Sequence, residues 1–293
     1  MKAERYFFVI NPISGGQDKQ LCADYIQEQF AQEGLSVKIY KTTGHDDKAQ
    51  ARQIIEQFDP QVVIAVGGDG TINLVAQLLE GSDRLFGIVP MGSANGMAAE
   101  LNISPNVDLA LKTLLAGHTR PVDALCINQH LCLHLSDVGV NAKVIKRFEE
   151  QKMRGMWGYA RQYIREIFRM KADKFGFILD DRRFIKKAHM VAIANASRYG
   201  TGAVINPDGR IDDGKFELCI IKPFPWYGLF TITLNMFLGR IKTSPHVEIH
   251  SGHSARIENY DREVLQVDGE VIGSPPHIDI SLIPAAYRIL VPA

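Results

Sequence analysis

Val62-Val63-Ile64-Ala65-Val66-Gly67-Gly68-Asp69-Gly70-Thr71 decides the fold of this chain. The short β-branched run predicts a strand buried on both faces, the kind found in parallel sheets. The glycines that follow let the backbone turn sharply and come close to a ligand. The apolar-rich stretch 71–79 then predicts a helix. A glycine turn between a strand's carboxyl end and a helix's positive start suits a phosphate. An aspartate inside such a turn fits if a cation accompanies the phosphate, or if a proton is moved.

The same rhythm extends outward. Residues 6–10 predict a strand and Ser14-Gly15-Gly16 a turn. Cys22, Ile26 and Phe30, spaced four apart, mark a helix that stops at Gly34. Leu35, Val37 and Ile39 alternate as a strand, and Ala51, Ile54, Ile55 and Phe58 mark a helix ended before Pro60. Residues 86–90 predict a fourth strand, followed by the turn Met91-Gly92-Ser93-Ala94-Asn95-Gly96 and a helix at 109–115. Alternating strands and helices imply a doubly wound parallel sheet with helices on both faces. Ligands of such sheets bind beyond the carboxyl ends of the strands, where all three glycine turns fall.

Near Pro121 the pattern changes to short strands. Residues 122–127 and 130–135 flank Asn128-Gln129, and 175–179 and 184–194 flank Asp181-Arg182, both hairpin signals. Further strands are expected at 216–221, 247–250, 254–258, 264–267 and 277–282. The chain is thus read as an α/β domain over 1–121 and an antiparallel β domain, a sandwich or barrel, over 122–283. Residues 284–293 are allowed to return to the first domain.

Composition narrows the classes. The chain has 293 residues, 46% hydrophobic and 23% charged, which is globular; Lys+Arg and Asp+Glu are equal at 33. Bulk charge therefore points to no nucleic-acid partner. Residues 143–174 carry ten basic and four acidic side chains, so a basic helical insertion is expected there. Arg161, Arg165 and Arg169 form one stripe, with Ala160, Ile164, Ile167 and Phe168 on another face and Trp157 and Tyr159 just before. Such a helix can lie on an anionic bilayer or pack on the β domain. The uncharged stretch 223–239 reads first as core, with a membrane-touching surface as the alternative. Cys22, Cys126, Cys132 and Cys219 form no CxxC pair and read as buried hydrophobes of a reducing compartment. No signal peptide is visible, which makes the cytoplasm the default location.

No GxxxxGK[ST] or GxGxxG sequence is present, which argues against a standard P-loop enzyme or dinucleotide dehydrogenase. No HExxH occurs among the histidines. Asn11-Pro12-Ile13-Ser14-Gly15-Gly16, Gly67-Gly68-Asp69-Gly70-Thr71-Ile72-Asn73, Pro90-Met91-Gly92-Ser93-Ala94-Asn95, Ile211-Asp212-Asp213-Gly214-Lys215-Phe216 and Val267-Asp268-Gly269-Glu270 come in order along nearly the whole chain. Together they resemble the diacylglycerol kinase catalytic family, which includes bacterial lipid kinases and sphingosine kinases. The GGDG motif is shared with NAD kinases.

The resemblance implies a soluble ATP- and Mg²⁺-dependent lipid kinase acting on diacylglycerol or a related lipid. It implies an NAD-kinase-like first domain and a nucleotide site in the cleft between the domains. Gly67, Gly68, Asp69, Gly70, Thr71 and Asn73 would cradle the ATP phosphates, with Thr43, Asn11, Ser93 and Asn95 completing the nucleotide edge. Glu270 would be the general base for the lipid hydroxyl. Asp69 would help hold catalytic Mg²⁺, aided by Asp123. Asp213 would bind a second, structural Mg²⁺ with the carbonyls of Arg210 and Lys215. A peripheral contact with the inner face of the membrane would run through 143–174, and a homodimer is allowed.

Phosphoryl transfer needs positioning, charge neutralisation and a modest base, and Mg²⁺ prefers carboxylates with waters and phosphates. A carboxylate base works best where burial brings its pKa towards working pH. Plainer roles stand beside these. Asp268-Gly269 is also a hairpin turn with Glu270 as a solvated strand residue, Asp212-Asp213-Gly214 a plain turn, and Asp123 a strand end. The family's usual Asp after the second glycine turn is Gly96 here, which bears on acceptor contacts. An NAD kinase shares GGDG but not the opening or the late Asp-Gly-Glu. A nucleotide-binding regulator without turnover is the alternative from another class.

Overall fold

The computed structural model describes residues 3–13, 19–139, 142, 171–198, 202–225 and 228–293, with backbone alone at 19–21. The turn Ser14-Gly15-Gly16 and residues 143–170, with the expected arginine stripe, lie outside the described residues. The chain divides into two compact units, Met1–Val122 with Ala285–Ala293, and Asp123–Pro284.

The first unit is a parallel sheet in the order β2-β1-β3-β4. Its strands are β1 (Arg5–Ile10), β2 (Ser36–Lys41), β3 (Val62–Gly67) and β4 (Leu85–Pro90). The last residues of β16 (His277–Leu290) pair in parallel beside β4, Arg288 opposite Leu85. The helices are α1 (Lys19–Gln32), α2 (Asp47–Phe58), α3 (Asp69–Leu79), α4 (Gly96–Glu100) and α5 (Val107–Ala116). β3 is buried along its whole length, as its β-branched run requires. Phe30 of α1 meets the rings of Tyr6 and Phe8 edge-on at 4.9 and 5.2 Å. Each buried aromatic of this kind contributes about 1.5–3 kcal/mol of apolar transfer. Tyr287 of β16 packs on Phe86 and donates its hydroxyl to Ala76 O at 2.9 Å, which fastens the last strand to α3.

The second unit is antiparallel. One sheet runs β12-β11-β10-β7-β14-β15, built from β7 (Leu135–Gly139), β10 (Met190–Ala194), β11 (Phe216–Ile221), β12 (Val247–Gly252), β14 (Leu265–Val267) and β15 (Glu270–Gly273). The other contains β8 (Asp173–Leu179), β9 (Arg182–Ala188), β13 (Ser254–Asn259) and the first part of β16. β5 (Thr119–Ile127) and β6 (His130–Cys132) form a hairpin beside β16. Phe175, Phe177 and Ile257 of this sheet meet Val191, Phe216 and Leu218 of the other in one core. This is a sandwich, and both halves of the expected fold class are present.

Several details differ from the sequence reading. The run 130–135 breaks into β6 and β7, because the amides of Leu133, His134 and Leu135 turn to the Asp268 carboxylate. The run 184–194 breaks at His189, where the chain passes from one sheet to the other. The hairpin expected at Asp181-Arg182 turns instead through Asp180, at φ 49, and Asp181. Residues 223–239 contain a further helix, α6 (Gly228–Phe237), and only one side of it is core.

Candidate functional site

The parallel sheet gathers the expected nucleotide residues at one edge. Asn11 follows β1, Thr43 follows β2, Gly68 follows β3 and Ser93 follows β4, and these strands share one direction. Gly67 ends β3 and Gly68 caps α3 in an extended conformation, its carbonyl accepting from Thr71 N and Ile72 N at 2.9 and 3.1 Å. A Cβ on Gly67 would lie 2.3 Å from Thr71 Oγ1, and one on Gly92 would lie 2.3 Å from Gly68 Cα. The two glycine turns therefore touch backbone to backbone, a distance no side chain allows.

Polar contacts hold this junction. Asn95, at φ 54, closes the second turn: its Oδ1 accepts from Gly92 N at 2.8 Å and its Nδ2 donates to Gly92 O at 2.9 Å. Asp69 crosses between the turns, its two oxygens accepting from Gly96 N and Met97 N at 3.1 and 3.2 Å. A carboxylate there stabilises the start of α4 and keeps further lone pairs for another ligand. Thr71 Oγ1 and Asn73 Oδ1 are buried with no hydrogen-bond partner. Leaving a buried polar atom unmet costs about 1–3 kcal/mol, so this edge is disposed to accept a polar ligand.

The rim is ordered by side chains too. Asp47 accepts from the Tyr40 hydroxyl at 2.6 Å and from Thr43 N and Gly44 N at 2.7 and 2.9 Å. Burial opposes its charge, yet these bonds keep its carboxyl below the usual range. The Tyr40 hydroxyl is pushed up to about 12 by burial and by Asp47. Asn11 Oδ1 accepts from Ile13 N at 3.1 Å, and Ser93 is exposed.

In the second unit, Asp123 is buried, and its Oδ2 accepts from Gly214 N at 2.8 Å while its amide donates to Ile211 O. Asp123 thus anchors the loop that carries Asp213. Asp213 is exposed and accepts from Lys215 N at 3.1 Å, next to Gly214 at φ 72. Among the described residues no three His, Cys, Asp or Glu side chains cluster as a metal cage. Of the loop's two carboxylates, Asp212 pairs with Arg210 and Asp213 is exposed; an oxygen donor of that kind fits Mg²⁺, which keeps several waters.

Glu270 is exposed at the start of β15. It follows a two-residue turn, Asp268 at φ 46 and Gly269 at φ 91. Asp268 accepts from Leu133 N at 2.7 Å and from His134 N and Leu135 N at 3.1 and 3.0 Å. Gly269 N donates to Gln266 Oε1 at 2.6 Å, and Gln266 Nε2 donates to the fully buried Asp137 at 2.6 Å. Beside Asp268 the buried Cys132 thiol is pushed up by desolvation and by that charge.

The model of the diacylglycerol kinase catalytic domain matches residues 5–127, and that of the YegS C-terminal NAD kinase beta sandwich-like domain matches residues 135–291. The chain belongs to the diacylglycerol kinase catalytic-domain family. Protein sll0036 of Synechocystis sp. is 26% identical, covering 99% of this chain and 71% of its own length. Lipid kinase YegS of Escherichia coli K12 is 26% identical, covering 89% of this chain and 88% of its own. A diacylglycerol kinase structure from Bacillus anthracis str. Sterne covers 100% of this chain and 98% of its own at 17% identity, with TM-score 0.77, a likeness of fold.

Within this member of the diacylglycerol kinase family, the supporting residues escaped the motifs. Asn195 Nδ2 donates to Asp123 O and Leu133 O at 2.8 and 2.7 Å. Buried Glu217 accepts from Asn206 Nδ2 at 2.5 Å and from Ser251 Oγ at 2.8 Å, fixing the loop before Asp213. The sequence Asn206-Pro207-Asp208-Gly209 is a turn signal from which that loop could have been read, but it says nothing of the buried partner.

Proposed function

We propose that this chain is an ATP- and Mg²⁺-dependent lipid kinase that transfers the γ-phosphate of ATP to the hydroxyl of diacylglycerol or a related lipid. The observation that carries this is the contact of Gly68 with Gly92 beside the unpartnered Thr71 Oγ1 and Asn73 Oδ1. It offers close-approaching backbone and unmet polar atoms at the start of a helix, a setting for phosphates. Membership of the family and the name of the Escherichia coli relative support a lipid acceptor.

In this account the turns Gly67–Asn73 and Gly92–Asn95 bind and orient the phosphates, with Asn11, Thr43 and Ser93 at the rim. Glu270 takes the proton of the lipid hydroxyl as its oxygen bonds the γ-phosphorus, the bond to the β-phosphate oxygen breaks, and ADP leaves. Asp268, Gln266 and Asp137 orient Glu270 through the turn. Asp69 in the first unit, and Asp213 with the Arg210 and Lys215 carbonyls in the second, would each hold Mg²⁺, with Asp123 steadying the Asp213 loop. When bound, the metal at the phosphates neutralises charge that builds up during transfer. The chain works in the cytoplasm, peripherally at the inner membrane face, with residues 143–174 adding basic charge.

Replacing Glu270 by Gln tests the assignment. Phosphorylation of lipid should fall by about a hundredfold or more, while ATP affinity by calorimetry stays near wild type. Unchanged turnover in E270Q, or phosphorylated NAD as product, would sink it.

A further inference from the structure

α6 is apolar on two sides, and only one is used by the fold. Gly228 and Ile232 are buried, and Ile232 and Met236 pack with Ile205, Cys219 and Ile221. Phe230, Leu234, Phe237 and Leu238 are instead 69%, 59%, 62% and 55% exposed. Their spacing of four, three and one puts them on a single stripe. Leu238 N bonds to Leu234 O at 3.0 Å, so the stripe stays helical to its end. Other strongly exposed large apolar side chains, Ile13, Leu109, Ile185 and Tyr260, are scattered along the chain. Scattered ones are ordinary surface, whereas a continuous stripe marks a docking face.

Charge selects the occupant. The sequence has no Asp or Glu between Glu217 and Glu248, while Lys222, Arg240 and Lys242 flank the helix. Lys222 is paired with Glu248 and Lys242 with Asp208. Arg240 is exposed at the end of the stripe and makes no ion pair among the described residues. An apolar stripe that ends in Arg240, with no Asp or Glu in the helix or its flanking stretch of sequence, matches an anionic bilayer surface. Trp226-Tyr227 precede the helix in sequence, side chains favoured at the level of lipid headgroups. A ten-residue helix spans only about 15 Å, too short to cross a bilayer but suited to lying in its surface.

We propose that α6 docks this chain on an anionic lipid bilayer, with Phe230, Leu234, Phe237 and Leu238 below the headgroups and Arg240 against lipid phosphates. The docking is independent of the kinase assignment, because binding needs neither nucleotide nor turnover.

The test is sedimentation of the full chain, without ATP, with phosphatidylcholine–phosphatidylglycerol vesicles. The wild type should bind them more tightly than pure phosphatidylcholine vesicles. F230S/F237S should weaken binding by about tenfold or more, given the apolar transfer lost. R240E should weaken it about fivefold at low salt. Thermal melting checks the fold of each variant, and R240E carries the test if the double variant unfolds. Failure of the wild type to bind anionic vesicles would overturn the proposal, as would wild-type binding by the folded variants. So would a dimer that F230S/F237S dissociates while vesicle binding is unchanged, since a second copy would then be the occupant.

Discussion

A Cβ at Gly92 would lie 2.3 Å from Gly68 Cα and 2.8 Å from Asn95 Oδ1. Gly68 Cα is backbone and cannot swing aside as the Asn95 side chain could, so the turns themselves must separate. Gly92→Ala should therefore lower stability by about 1–3 kcal/mol in urea unfolding and weaken ATP binding in titration. Asp69 makes a different demand, because its two backbone acceptances secure α4. Asp69→Ala should destabilise the fold by about 1–2 kcal/mol as well as reduce turnover. An aspartate used for metal alone would leave the melting temperature unchanged. The Gly-Gly-Asp-Gly turn is legible in sequence because its conformational demands are local. The Asp69 bonds to Gly96 and Met97 are not, since they join turns 27 and 28 residues apart.

At the scale of elements, the β14–β15 hairpin carries Glu270 and hangs on Asp268. Asp268→Asn would aim an amide at donors that need an acceptor, a loss of about 2 kcal/mol. Its effect on lipid phosphorylation should fall on kcat more than on KM. β12 bears a pH-sensitive contact: Lys186 and Lys222 bring Glu248 from 4.5 down to about 2. A folded pKa below the unfolded one adds stability that is complete above 4.5 and lost as pH falls to about 2. The difference in melting temperature between wild type and Glu248→Gln should narrow over that window. Strand and helix periods are readable for most elements because burial sets them residue by residue. The breaks at Leu133 and His189 are not, because a carboxylate far along the chain and a change of sheet decide them.

At the scale of the molecule, the parallel-sheet unit and the antiparallel sandwich both follow from patterns the sequence displays. The change from alternating strand and helix to hairpin signals near Pro121 separates them. The interior links of the second unit, such as Gln266 to Asp137 across 129 residues, have no such pattern, because a buried amide and carboxylate look alike in any context. If Mg²⁺ serves the phosphates as proposed, EDTA should abolish phosphate transfer and added Mg²⁺ restore it, while the melting temperature reports separately on any structural ion. The most direct measurement is incubation of the full chain with γ-labelled ATP and extracted membrane lipids, with the labelled product identified by mass. The expected product is a lipid heavier by one phosphate, formed by wild type and reduced about a hundredfold or more with E270Q. Label found only in inorganic phosphate or in phosphorylated NAD would contradict a lipid kinase.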